Sequence, residues 1–132
     1  MQLARPTVLV VDDEPNQRRV LRIGLEEAGF DVLEAADGRE ALEVLDTTSA
    51  QLAVVDLMMP DIDGVELTQR LRFRHPDVRV VLTSAYHLNP RQMERGRLDV
   101  VGFLPKPFEL SRLVAMLRTA LDGSSEQVVA IR

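Results

Sequence analysis

Short apolar runs recur along the chain, and between them lie longer segments whose apolar residues return every three or four positions. The runs are Thr7 to Val11, Asp31 to Ala35, Leu52 to Val55, Val78 to Leu82 and Val100 to Leu104. Three are nearly unbroken in aliphatic residues, as expected of strands covered on both faces. The segments between them carry helix punctuation. Pro15 suits a first helical position and Gly29 the C′ position of the same helix, with Val20, Leu21, Gly24, Leu25 and Ala28 as one stripe. Asp37 with Glu40, and Asp63 with Glu66, have capping-box spacing with Asp in place of Ser or Thr. A fourth helix is expected from Asn89-Pro90, although Gly96 comes early and apolar residues are sparse. The last begins near Glu109, with Leu110, Leu113, Val114, Leu117 and Leu121 on one face.

Five strands alternating with five helices predict an α/β fold: a single-domain (βα)5, doubly wound parallel sheet with right-handed crossovers and helices on both faces. The domain is expected over residues 1–122. Residues 123–132, GSSEQVVAIR, read as a tail or the start of a linker. In such folds ligands sit beyond the carboxyl ends of the strands. Asp56 ends the third strand, and Asp12 and Asp13 follow the first.

Length and charge narrow the field. A chain of 132 residues suits one core. Its net charge of −5 disfavours direct binding to nucleic acid or to an anionic membrane surface. Without cysteine there is neither a disulfide nor a thiolate zinc site. The first apolar run stops at Asp12-Asp13-Glu14, too short for a signal peptide or a membrane span, so no membrane insertion and a cytoplasmic location are expected.

Placing the first and third strands side by side brings Asp12, Asp13 and Asp56 together. Like charges so close raise one another's pKa, a conflict that a hard divalent cation such as Mg2+ would remove. The acids alone leave two readings open, a cation site or ordinary acids at loop starts. Lys106, in Phe103-Leu104-Pro105-Lys106-Pro107, could reach the same edge, though alone it reads as a solvated loop lysine. Thr83 and Ser84 place hydroxyls at the end of the fourth strand. Together these groups have a joint logic: a carboxylate can attack phosphorus, while a cation and a lysine neutralise the moving phosphoryl group.

The combination of VLVVDDE at 8–14, VVDLMMPDIDG at 54–64, LTSA at 82–85 and FLPKPF at 103–108 resembles the receiver domain of two-component response regulators over residues 6–122. The resemblance implies a flavodoxin-like sheet in strand order 2-1-3-4-5. It implies that Asp56 is the phosphoacceptor for a phosphohistidine on a sensor histidine kinase or phosphotransfer protein. Mg2+ would be held by Asp13, Asp56 and the Met58 backbone carbonyl, with Asp12 acting mainly through water. Lys106 would contact the phosphoryl group. Ser84, counted back from Lys106, would be the switch hydroxyl, with Thr83 the second choice, and Phe103 the aromatic switch. A downstream protein or output domain would read the face formed by the fourth helix, fifth strand and fifth helix. Such a protein is a phosphoacceptor that assists its own chemistry rather than an enzyme. The Lys106-Pro107 bond is expected to be cis, as in many relatives. Pro60 and Gly64 shape the loop after the acceptor, with Asp63 as helix cap.

Two lookalikes fail. An EF-hand register using Asp61 and Asp63 puts Met59 at its first ligand and Arg70 at its twelfth. No GxxxxGK loop is present. Departures from the family are Met58 and Tyr86, where many relatives have polar residues, and Arg95-Gly96-Arg97-Leu98-Asp99 in place of small residues. The apolar pair is expected to shield the phosphoryl group and lengthen its life. His75 and His87 have ordinary surface-loop readings. Two other classes stand beside the leading one: a receiver-like interaction domain that works without phosphorylation, and a metal-dependent phosphotransferase or phosphatase acting on small substrates.

Overall fold

The computed structural model describes residues 5–85 and 100–122. Its strands are β1 (Thr7–Val11), β2 (Asp31–Ala35), β3 (Leu52–Asp56), β4 (Arg79–Ser84) and β5 (Gly102–Pro105). All pair in parallel, in the order β2-β1-β3-β4-β5. The described helices are α1 (Pro15–Glu27), α2 (Gly38–Thr47), α3 (Gly64–Arg74) and α4 (Leu110–Leu121). The helix expected from Asn89-Pro90, the Arg95–Asp99 stretch, Tyr86, His87 and the 123–132 tail lie outside the described residues.

Alternation along the strands sorts side chains into two cores. Leu9, Val11, Ala53, Val55, Val80 and Leu82 pack with Leu42, Leu45, Leu67 and Leu71 of α2 and α3. Val8, Val10, Leu52, Val54, Val81 and Leu104 pack with Leu21 and Leu25 of α1 and with Leu113 and Leu117 of α4. Every residue of β3 is buried, because helices cover both of its faces.

β3 ends at Asp56 and β4 at Ser84, as expected, but β4 starts at Arg79 rather than Val78. β5 covers Gly102–Pro105 rather than Val100 to Leu104. Ladder pairing is made by the backbone, so polar side chains at a strand's end do not terminate it: Asp56 pairs with Thr83 and Ser84 with Pro105.

The expected caps form. Asp37 accepts from the Glu40 amide and Asp63 from the Glu66 amide, each at 2.8 Å. Gly29 closes α1 at φ 104°. Val20 departs from the predicted stripe, being 68% exposed. It lies one turn before Gly24, where α4 begins against α1; a Cβ on Gly24 would meet Leu110 Cδ2 at 2.4 Å.

Gly64 starts α3 against the backbone that follows β3. Its N–H donates to the Leu57 carbonyl at 2.8 Å, and a Cβ here would lie 2.7 Å from Leu57 Cα and 2.9 Å from the Asp56 carbonyl. Backbone on both sides cannot yield cheaply. Gly64→Ala is expected to lower stability by about 1–3 kcal/mol, the usual cost of overpacking. A thermal melt checks it, and an unchanged midpoint would refute the close-contact argument.

Candidate functional site

Four strand ends bring the site together. β1 delivers Asp12 and Asp13, β3 delivers Asp56, β4 ends in Thr83 and Ser84, and β5 leads straight into Lys106. Asp12 and Asp56 are 2% and 8% exposed, burial that no pair of like charges tolerates without compensation. Asp13 faces solvent.

Lys106 supplies part of that compensation. Its Nζ donates to Asp12 Oδ2 at 3.1 Å and to Gln17 Oε1 at 2.6 Å, and it stands 3.6 Å from Asp56 Oδ2. The ammonium thus bridges the two buried acids, 94 residues from Asp12 in sequence. Backbone amides do the rest. Glu14 N–H donates to Asp12 Oδ1 at 2.9 Å, and Met58 N–H donates to Asp56 Oδ1 at 3.2 Å. Arg18 fixes the corner from the other side. Its guanidinium donates to the Asp12 carbonyl at 2.7 Å and pairs with Glu34 on β2 at 3.1 Å.

Burial pushes the Asp56 carboxyl above the usual carboxylate range. Lys106 and the Met58 amide pull it back down, while the charges of Asp12 and Asp13 push the same way as burial. A carboxylate held in this way is an anion short of positive charge.

Asp12, Asp13 and Asp56 each offer a carboxylate oxygen, and these atoms lie within 4.8 Å of one another. Oxygen donors only, in a partly open group with one exposed member, fit a hard cation that keeps several waters. The set suits neither zinc nor copper, which take imidazole or thiolate ligands.

Thr83 and Ser84 are both buried, at 2% and 0% exposure. Ser84 continues the alternation of Val80 and Leu82 toward the α2–α3 core, and half-buried Phe103 packs on that same core. Thr83 continues that of Val81 toward the α1–α4 core. Backbone links tie these strand ends together: Leu57 N–H to the Thr83 carbonyl at 2.8 Å and Lys106 N–H to the Ser84 carbonyl at 2.7 Å. The Lys106-Pro107 peptide is cis. Met58 lies at the rim, 53% exposed. His75 makes a surface contact with Asp46, away from the acids.

Two contributors escaped the sequence reading. Gln17 is a polar residue on the first turn of a helix, with nothing local to connect it to Lys106. Arg18 carries no motif either. Only the fold makes them neighbours of the site.

A sequence model of the family described as the response regulator receiver domain matches residues 8–118. The chain is 35% identical over 119 residues to the probable transcriptional regulator ycf27 of Porphyridium aerugineum, covering 90% of this chain and 49% of that protein. It therefore spans about half the length of this curated relative. The chemotaxis protein CheY4 of Vibrio cholerae superposes with a TM-score of 0.81 at 29% identity, over 87% of this chain and 98% of that one. The response regulator TrrA of Thermotoga maritima, solved in complex with Mg2+-BeF, gives a TM-score of 0.77 at 30% identity, over 86% of this chain and 97% of that one.

Proposed function

The chain belongs to the response regulator receiver domain family of two-component systems, and from that premise we propose that Asp56 captures a phosphoryl group from a partner's phosphohistidine in a Mg2+-dependent reaction. The observation that carries this reading is the Lys106 ammonium, held 3.1 Å from Asp12 and 3.6 Å from Asp56 beside three converging carboxylates. An Asp56 oxygen attacks phosphorus, the phosphorus–nitrogen bond breaks, and the imidazole nitrogen keeps the electron pair. The product on Asp56 is an acyl phosphate. Asp13, Asp56 and the Met58 carbonyl would hold Mg2+, with Asp12 acting mainly through water. When bound, Mg2+ neutralises charge on the transferring group. Lys106 would add a point charge to the same group.

Phosphorylation adds charge and acceptor oxygens at the strand ends. Ser84 then turns toward a phosphoryl oxygen, and Phe103 moves into the space it leaves. The face of β5 and α4 is remodelled for a downstream protein or output domain. Moving such an equilibrium from 1:99 to 99:1 takes about 5.5 kcal/mol. Several charge-assisted bonds of about 1.5–3 kcal/mol each are sufficient for that. The phosphodonor, a sensor histidine kinase or phosphotransfer protein, approaches over the open groove beside Lys106, lined by Gln17, Val20, Pro107 and Phe108. No helix among the described residues is long and apolar enough to cross a membrane.

The test is incubation with Mg2+ and a small acyl phosphate. An acid-stable, base-labile adduct on the protein is expected. Donor turnover without adduct would favour a small-substrate phosphotransferase. Neither adduct nor Mg2+ binding would leave a phosphorylation-independent interaction domain. The adduct is also expected to be long-lived, because an apolar side chain at Met58 does not orient a hydrolytic water. Met58→Asn should shorten its life several-fold, an effect on the order of 1 kcal/mol. Spontaneous dephosphorylation timed in both proteins decides this, and equal lifetimes reject it.

A further inference from the structure

The loop from Leu57 to Asp63 leaves the acceptor strand and is held at more than its ends. Asp61 reaches from its middle to a different element. Its Oδ1 accepts from the Gly38 amide at 3.3 Å and its Oδ2 from the Arg39 amide at 3.2 Å. These are the first two residues of α2, whose amides have no partner within their own helix. Asp37 caps only the Glu40 amide, so Asp61 completes the cap from across the fold. The two segments also touch directly: a Cβ on Gly38 would lie 2.9 Å from Ile62 Cβ. Partial burial pushes the Asp61 carboxyl up, but the amides of Ile62, Arg39 and Gly38 outweigh it and hold it below the usual range. The sequence had singled out Asp61 only as part of a failed calcium-loop register.

We propose that Asp61 is a positioning residue for phosphoryl capture: by tying the 57–63 loop to the first turn of α2, it keeps Met58 in place against the acceptor carboxylate. Met58 N–H lies 3.2 Å from Asp56 Oδ1. The Met58 carbonyl sits on the same short stretch, so a slackened loop displaces the donor and the cation ligand together. Gly64 anchors one end of the loop through Leu57, and Asp61 is the charged residue of the stretch between them that, among the described residues, bonds to α2. The inference rests on the reading of Asp56 as phosphoacceptor.

Wild type, Asp61→Asn and Asp61→Ala are compared below their melting temperatures by three measurements: Mg2+ titration, adduct formation from a small acyl phosphate, and amide hydrogen exchange. Loss of an outer support of this kind costs about tenfold or more in metal affinity or activity. Asp61→Ala should therefore bind Mg2+ about tenfold more weakly, form adduct more slowly, and lose protection at Met58 as well as at Gly38 and Arg39. Asp61→Asn keeps an acceptor and should fall between. Protection lost only at Gly38 and Arg39, with Mg2+ affinity unchanged, would make Asp61 a plain helix cap and overturn the inference. Asn as impaired as Ala would make the effect one of charge, with the same consequence. A wild-type chain that takes neither phosphoryl nor Mg2+ would bring down the underlying reading itself, an outcome distinct from both.

Discussion

Asp56→Asn is expected to abolish the proposed phosphoryl adduct and to raise the melting temperature of the metal-free domain at neutral pH. Loss of the adduct follows from chemistry: an amide oxygen is not a nucleophile of carboxylate strength, and no other carboxylate in the cluster is both 8% exposed and next to the Met58 amide. The gain in stability follows from electrostatics. Burial and the charges of Asp12 and Asp13 push the Asp56 carboxyl up, so its ionised form is a cost in the folded state. A carboxyl whose pKa is raised by folding binds its proton more tightly in the native chain than in the unfolded one. Stability therefore falls as pH rises from the ordinary carboxylate range through the folded pKa, and the cost is complete above it. Asn removes the charge. It leaves Lys106 with Asp12 at 3.1 Å and Gln17 at 2.6 Å, so no orphaned cation offsets the gain. A gain on the order of 1 kcal/mol corresponds to roughly 3–6 °C in a domain of this size. Melts in chelator at neutral and acid pH should show the difference shrinking toward acid. A variant that still forms base-labile adduct, or melts lower at neutral pH, defeats the assignment.

Lys106→Met is expected to slow adduct formation by roughly 10²–10³-fold, the typical effect of removing one fixed donor from a charge-developing site. The ammonium is a fixed positive charge that touches both buried acids, and Met replaces its length without its charge. Asp12 and Asp56, with side chains 3% and 11% exposed, are then left as two anions with only backbone amides for support. The Asp56 carboxyl rises further, since the charge that pulled it down is gone. Destabilisation should be greatest at neutral pH and recede in acid, as the carboxyls take protons. Rates measured with a small acyl phosphate at saturating Mg2+ separate this from a loss of partner docking. Adduct formation at the wild-type rate would mean that Lys106 only neutralises the resting site.

The strands were legible because burial on both faces writes them as short, nearly continuous aliphatic runs. Val8 to Val11 and Leu52 to Val55 can be little else. The caps were legible because each is local: Asp37 and Asp63 bond an amide three residues on. The packed face of α4 was legible only in part. Leu113 and Leu117 lie in the predicted stripe and are fully buried, but Met116 and Ala120 are buried as well. A helix wedged beside α1 and over the sheet is covered more widely than one stripe predicts. Val20 failed the other way, because periodicity says which residues share a side, not how far the neighbouring helix extends to cover them.

The candidate site divides in the same manner. Which groups converge was legible in residue type and order, namely the acids at the carboxyl ends of the first and third strands, the hydroxyls that end the fourth and the lysine after the fifth. Parallel topology sends every strand's carboxyl end to one edge, so the placement of those groups followed from the chain itself. What they do to one another did not. The 2.6 Å bond from Lys106 to Gln17, the Arg18 brace on Asp12 and the Asp61 cap on α2 join residues far apart in sequence. Their energies depend on distances of a few tenths of an ångström and on how much water is excluded. Neither quantity exists until helices and sheet have packed, which is why the roster of the site was written in the sequence and its electrostatics only in the fold.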